Sequence, residues 1–166
     1  MGLLSRTKGK VFERKIAQVI RPHFPYVTVR RASQAERAHN PDLFFESEHA
    51  LPPILDRLWL ELEDSATPNP RKKLEQSERD LRSRFPVTWQ SKFPVVVWHL
   101  KGSRTIWATA RARTLRHLLG DLKMYDVVSG SDTSLHDVVV VQVDFEDLLR
   151  MLRVREPADV TGPPID

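Results

Sequence analysis

The sequence contains no cysteine among its 166 residues, which excludes disulfide bonds and thiolate zinc sites and leaves the redox compartment open. It also lacks an apolar run of about 18 residues, the length that a membrane-spanning helix needs. The basic first residues lead into an amphipathic segment without the apolar centre of a signal peptide. We therefore expect a cytoplasmic protein with no membrane partner.

Several catalytic motifs are absent as well. The six histidines show no paired ligand spacing, so a zinc site is not expected. The chain has no glycine-rich phosphate loop, which argues against a nucleotide cofactor, and no nucleophile elbow of the serine-hydrolase type. Its length and composition suit one globular domain, expected over residues 1–155, followed by a Pro- and Gly-rich disordered tail over residues 156–166.

Positive charge is concentrated at the start of the chain. The net charge is only +4, yet the segment up to Asn40 carries nine basic residues against the two acidic residues Glu13 and Glu36. These basic residues are Arg6, Lys8, Lys10, Arg14, Lys15, Arg21, Arg30, Arg31 and Arg37. Such a surface attracts phosphates through counterion release, although a solvated helix face with no partner is an alternative explanation.

Two later stretches bring acidic residues together. Residues 40–43 read Asn-Pro-Asp-Leu, and the proline step places Asp42 at the start of a strand. Leucines alternate with other residues over 58–63, so Glu61 and Glu63 emerge from one face of a second strand. If these strands pair, Asp42 meets both glutamates. Three carboxylates in one volume repel each other unless a cation is present, and oxygen ligands suit Mg²⁺ or Mn²⁺.

The remaining patterns predict an α/β fold in which helices flank a central mixed sheet. Apolar residues three and four apart predict a first helix over residues 7–20. Asn69 as cap and Pro70 at the first helical position predict another helix from Arg71 to Arg84. Further strands are predicted over 26–30, 93–100, 105–108 and 137–143, and loops over 47–56 and 85–90. Helices are predicted over 111–119 and after Asp144, which can cap the last helix.

Pro41-Asp42 followed by Glu61-Leu62-Glu63 resembles the signature of the PD-(D/E)xK nuclease superfamily, with Glu63 at the position of the lysine. Within this superfamily the chain looks most like the archaeal-type Holliday junction resolvases. Residues 8–14, Lys-Gly-Lys-Val-Phe-Glu-Arg, are similar to their opening helix. The resemblance covers residues 8–110 and implies a restriction-endonuclease-like core.

Two shorter similarities accompany this signature. Val29-Arg30-Arg31-Ala32-Ser33 is similar to the Arg-x-x-Ser approach of the resolvases, although Gln34 and Ala35 replace the glycines that usually follow the serine. Gln76 stands where many relatives carry a glutamine on the helix after the metal-binding strand. Ser33 is thus a candidate for phosphate contact, or a turn residue that bonds its own backbone.

The resemblance also implies roles for the acidic residues. Asp42 and Glu61, aided by Glu13 and the Leu62 carbonyl, would hold one or two Mg²⁺ or Mn²⁺ ions and support phosphodiester hydrolysis. Glu63, counted among the catalytic residues with these three carboxylates, would act as a base, as a ligand of a second metal ion, or not at all.

The missing lysine has two candidate replacements, Lys72 and Lys73, since the catalytic lysine of some relatives has moved to a neighbouring helix. A solvated lysine is the alternative for each. The residues expected to contact DNA are Lys8, Lys10, Arg30, Arg31, Ser33, Lys72, Lys73 and Gln76.

The function that this resemblance implies is a metal-dependent DNA endonuclease, nucleoid-associated or phage-encoded, that cuts branched junctions symmetrically. Symmetric cutting implies a homodimer, because two opposed strands need two equivalent sites. Two alternatives stay open: a restriction-type or transposon-end nuclease, and a catalytically silent DNA-binding module in which Glu63 marks lost activity.

Overall fold

A computed structural model describes residues 3–33, 40–48, 50–119 and 139–153, without the side chains of residues 3–9. These residues form helices and strands in the order α1 (Leu3–Ile20), β1 (Thr28–Arg31), β2 (Leu43–Glu46), α2 (Pro53–Arg57), β3 (Leu58–Glu63), α3 (Pro70–Arg84), β4 (Phe93–His99), β5 (Ile106–Arg111), α4 (Ala112–Leu119), β6 (Val140–Asp144) and α5 (Phe145–Arg153). A short 3-10 turn, Trp89–Ser91, precedes β4.

The strands of the described residues form one six-stranded sheet in the order β1-β2-β3-β4-β5-β6. Strands β1, β2 and β3 make an antiparallel meander, and α3 then carries the chain across to β4, which runs parallel to β3. Strands β5 and β6 extend the sheet by antiparallel pairing. The sheet is therefore mixed, as predicted.

One face of the sheet, which we call the α1 face, carries the main core. Side chains of α1, α4 and α5 pack there against alternate residues of the strands, among them Leu43, Leu60 and Val95, which are fully buried. The apolar stripe of α1, represented by Phe12 and Ile16, lies in this core because its spacing of three and four keeps it on one side of the helix.

The other face, which we call the α3 face, is covered by α3. Leu74 and Leu81 of this helix are buried, as is Val96 of β4. With α1 on one side and α3 on the other, the middle strands lose contact with water on both faces. This explains the nearly continuous apolar sequence of β4.

Both predicted helix caps are confirmed. The Asn69 side chain accepts a hydrogen bond from Lys72 N at 3.0 Å, and Asp144 Oδ1 accepts one from Glu146 N at 2.9 Å. Several boundaries differ from the predicted ones: β1 covers Thr28–Arg31 and not residues 26–30, and β5 covers Ile106–Arg111 and not residues 105–108. Helix α1 begins at Leu3 and not at residue 7.

The segment predicted as a loop over 47–56 also contains the start of the short helix α2, which has Pro53 in its first turn and buries Leu55. The predicted tail over 156–166, the start of the strand predicted over 137–143, and Gln34 and Ala35 lie outside the described residues. None of the helices in the described part of the chain is long and apolar enough to span a membrane.

Candidate functional site

Asp42 lies immediately before β2, opposite the second half of β3. Leu43 pairs with Leu60 in antiparallel register, so Asp42 falls opposite Glu61. Two hydrogen bonds fix this position: Asp42 N donates to Leu60 O at 3.0 Å, and Leu62 N donates to Asp42 Oδ2 at 2.8 Å. Because side chains alternate along a strand, Asp42 and Glu61 both belong to the α3 face, opposite to Leu43 and Leu60.

Glu61 is the best-connected carboxylate of this region. Its Oε1 accepts a hydrogen bond from Trp59 Nε1 at 2.9 Å, and its Oε2 lies 2.8 Å from Lys73 Nζ of α3. The side chain is only 15% exposed. Burial raises the pKa of Glu61, the neighbouring Lys73 charge works to lower it, the Asp42 charge raises it, and the net direction is upward.

Lys73 reaches into this group from the first turns of α3. Burial works to lower its pKa, but the charge of Glu61 and the hydrogen bond to it, followed by the charges of Asp42 and Glu63, raise that pKa above the ordinary value. The charge of this one ammonium group thus interacts with Asp42, Glu61 and Glu63. We call these three side chains the carboxylate cluster. Of the two candidate lysines, Lys73 contacts Glu61, whereas Lys72 is exposed.

Glu63 has a different set of contacts. Its Oε1 accepts a hydrogen bond from Asn69 N at 2.8 Å, and Asn69 in turn caps α3 through Lys72 N. Glu63 Oε2 is buried and has no hydrogen-bond partner among the described residues. The carboxylate that replaces the expected lysine therefore tethers the turn before α3, the helix that brings Lys73 to Glu61.

Glu13 is buried, with 5% of its surface exposed. It belongs to α1, and its carboxylate pairs with the guanidinium of Arg31 in β1. Arg31 lies two residues after Val29 in β1 and therefore on the same face, and Val29 packs in the core of the α1 face. Glu13 is thus held on the opposite side of the sheet from Glu61, and its part in holding a metal ion stays a prediction.

The predicted DNA-contacting residues are spread over both faces. Arg30 pairs with Glu46 at 2.6 Å and lies over the Phe44 ring, so both arginines of β1 have partners within the chain. Lys10, Ser33, Lys72 and Gln76 are exposed, and the Lys8 side chain lies outside the described part.

The donor set of the cluster suits Mg²⁺ or Mn²⁺ in chemical type. Among the described residues, no three Asp, Glu or His side chains converge to hold an ion by themselves. Mg²⁺ is commonly bound through one or two carboxylates, with water and substrate phosphates as the other ligands. Asp42 and Glu61, which lie close enough for the Asp42 charge to raise the pKa of Glu61, provide such a pair, and the Leu62 carbonyl stays a predicted further ligand.

Two further contacts were not predicted from the sequence, one beside this site and one further along α3. His99 Nε2 at the end of β4 lies 3.4 Å from Asp64 Oδ1, just after β3. Arg111 donates two hydrogen bonds to the buried Glu78 of α3, at 2.9 and 2.7 Å. Both join residues more than 30 positions apart, and no local spacing signals such a pair.

Comparison of the chain with protein-family models, with curated proteins and with solved structures found no match.

Proposed function

We propose that this protein is a metal-dependent DNA endonuclease with a restriction-endonuclease-like core. The order of elements supports the proposal: a helix, an antiparallel three-stranded meander, and a helix that leads to a strand parallel to the third. A helix, a three-stranded meander and a second helix are the order of elements that the resemblance implies, and Asp42 before β2 lies beside Glu61 of β3.

The observation that carries the proposal is the contact between Lys73 Nζ and Glu61 Oε2 at 2.8 Å, opposite Asp42. Two carboxylates and one lysine are the functional set of the superfamily signature. Here the lysine comes from the neighbouring helix and Glu63 stands in its usual place. The departure at Glu63 is therefore compatible with an active site, because the positive charge is restored from α3.

Each residue has a distinct role in this account. Asp42 and Glu61, with the Leu62 carbonyl, would hold a divalent ion. Glu13, which pairs with Arg31 on the α1 face, has no role in this proposal. When bound, such an ion polarises the scissile phosphate and lowers the pKa of an attacking water. Lys73 would orient that water and offset negative charge that develops on the phosphate.

The substrate that we propose is branched DNA, cut symmetrically by a homodimer. Exposed basic residues near the cluster, such as Lys72, Arg71 and Arg79 on α3, supply positive charge for phosphate contact. The preference for a junction and the dimer come from the resemblance to the resolvases.

Purified protein is to be incubated with a synthetic four-way junction, a matching linear duplex and a single strand, with Mg²⁺ and with Mn²⁺. We expect paired nicks near the branch point, dependent on the metal ion. Cutting of the linear duplex would favour a restriction-type or transposon-end nuclease. Binding without cutting would favour the silent DNA-binding module and overturn the proposal.

A further inference from the structure

A cavity of about 370 Å³ lies between α3 and α4 at the end of the sheet where β4 begins, which is the opposite end from the carboxylate cluster. It is bounded by the second half of α3, the 3-10 turn, the start of β4 and α4. The aromatic and basic side chains that line it are Trp89, Lys92, Arg113 and His117. None of them belongs to the proposed catalytic site.

The charge around this cavity is predominantly positive. Arg113 lies over the Trp89 ring at 5.5 Å, and Arg82 of α3 lies over the same ring at 4.4 Å. Among the described residues that line the cavity, Glu78 is the one carboxylate, and Arg111 donates a hydrogen bond to each of its oxygens. Lys92 Nζ donates a hydrogen bond to the backbone carbonyl of Asp56 at 3.1 Å, a neutral acceptor that does not cancel the charge of the ammonium group.

The position of the cavity relative to the cluster follows from the strand register. Phe93, which lines the cavity, pairs with Leu58, while Val96 pairs with Glu61 and Trp98 with Glu63. Three to five strand residues therefore separate the two places, or about 10 to 16 Å. Along one strand of a DNA duplex, with about 3.4 Å per nucleotide, this separation corresponds to roughly three to five nucleotides.

The exposed surface of α3 connects the two places. Lys72, Gln76 and Arg79 follow one another at spacings of four and three, so they form one ridge along the helix, with Arg82 three residues further on. All four side chains are exposed. The ridge starts one residue from Lys73 and ends at the arginine above Trp89.

We propose that the cavity at Lys92 and Arg113 binds a backbone phosphate of the same DNA strand, three to five nucleotides from the position of cutting. The DNA arm then lies along the α3 ridge, from the carboxylate cluster to the cavity. This inference rests on the proposed function for the identity of the ligand. It adds a second contact that orients the arm and takes no part in the hydrolysis.

The test measures binding of the fluorescein-labelled four-way junction by anisotropy in EDTA, so that chemistry does not contribute. Lys92→Gln and Arg113→Gln are compared singly with the wild type, and Arg153→Gln, on α5 of the α1 face, removes the same charge elsewhere as the matched control. Each cavity variant should weaken binding about tenfold, since a charged hydrogen bond to phosphate contributes about that factor. The slope of log affinity against log salt should fall by about one.

A second arm uses junctions with one neutral methylphosphonate at a time. Neutralisation three to five nucleotides from the cut should weaken wild-type binding and have no further effect on Arg113→Gln. Cavity variants that bind like the wild type, or a loss that is equal in Arg153→Gln, would overturn the inference. Cutting in Mg²⁺ is measured separately. DNA that is bound through the cavity but left uncut would overturn the nuclease proposal and leave this inference standing. Absence of any binding by the wild type would overturn both.

Discussion

The contact between Lys73 and Glu61 gives the sharpest prediction, because the neighbouring Lys72 is a built-in control. Lys73→Met removes the ammonium group that lies 2.8 Å from Glu61 Oε2 and leaves a half-buried carboxylate without its cation. Lys72→Met removes the same group from the exposed side of the same helix turn. The two lysines are adjacent in sequence, but only the variant at position 73 loses the contact with Glu61.

The expected cost follows from the burial of the pair. Removing one partner of a fully buried ion pair costs about 3–5 kcal/mol, whereas an exposed pair contributes about 0–1 kcal/mol. With 31% of Lys73 and 15% of Glu61 exposed, this pair lies between the two limits, and we expect about 2 kcal/mol. For a chain of this length that corresponds to a fall in Tm of about 4–8 °C. Lys72→Met should stay within about 0.5 kcal/mol of the wild type.

Urea denaturation of Lys73→Met, Glu61→Gln and the double variant measures this coupling directly. The double variant should be close to the wild type in stability, because neutral residues at both positions leave no uncompensated charge. In Mg²⁺, Lys73→Met should lose cutting and Lys72→Met should retain it. Equal stability of the two single lysine variants, or equal cutting by them, would refute the assignment of Lys73.

Three further predictions concern the same site. The pKa of Glu61, measured by ¹³C NMR of its carboxyl group, should rise further in Lys73→Met and fall in Asp42→Asn, because the lysine charge lowers it and the aspartate charge raises it. A pKa that moves the other way in either variant would contradict the charge arrangement. Since folding raises the pKa of Glu61, its contribution to stability should decrease as the pH rises from the pKa of the unfolded state through the pKa of the folded state. Glu63→Lys should reduce cutting, because it removes the acceptor of Asn69 N and adds a second cation beside Lys73. The double variant Glu63→Lys with Lys73→Met should recover part of the activity. A gain of activity from Glu63→Lys alone would show that the native residue is a defect. Asn69→Ala removes the side chain that caps α3 and should lower the free energy of unfolding, measured in urea, by about 1 kcal/mol, whereas Asn69→Asp keeps a capping oxygen and should not. Equal stability of the two variants would argue against the cap.

The sequence predicts the sheet face of each acidic residue because the signal for it is local. Alternation over β3 separates Leu60 from Glu61, and the Asn69-Pro70 step marks the start of α3 with its cap. The choice between Lys72 and Lys73 depends on the rotation of α3 against the sheet. Burial of Leu74 and Leu81 fixes that rotation, and this packing is a tertiary property.

Other features of the site have no local signal. Glu13 and Arg31 lie 18 positions apart on different elements, so the sequence does not indicate that these two residues pair. The short helix α2 was missed because five residues are too few for a periodic pattern, although Pro53 in its first turn is typical of a helix start.

The central claim is that Asp42 and Glu61 act as one metal-binding pair beside Lys73. The most direct measurement is cutting of the four-way junction in Mg²⁺ by the wild type, Asp42→Asn and Glu46→Gln, with DNA binding measured in parallel. Glu46 lies on β2 on the same sheet face but pairs with Arg30, so it controls for loss of one negative charge. We predict that Asp42→Asn abolishes cutting while binding DNA as well as or more tightly than the wild type, and that Glu46→Gln still cuts. Unchanged cutting by Asp42→Asn would contradict the account.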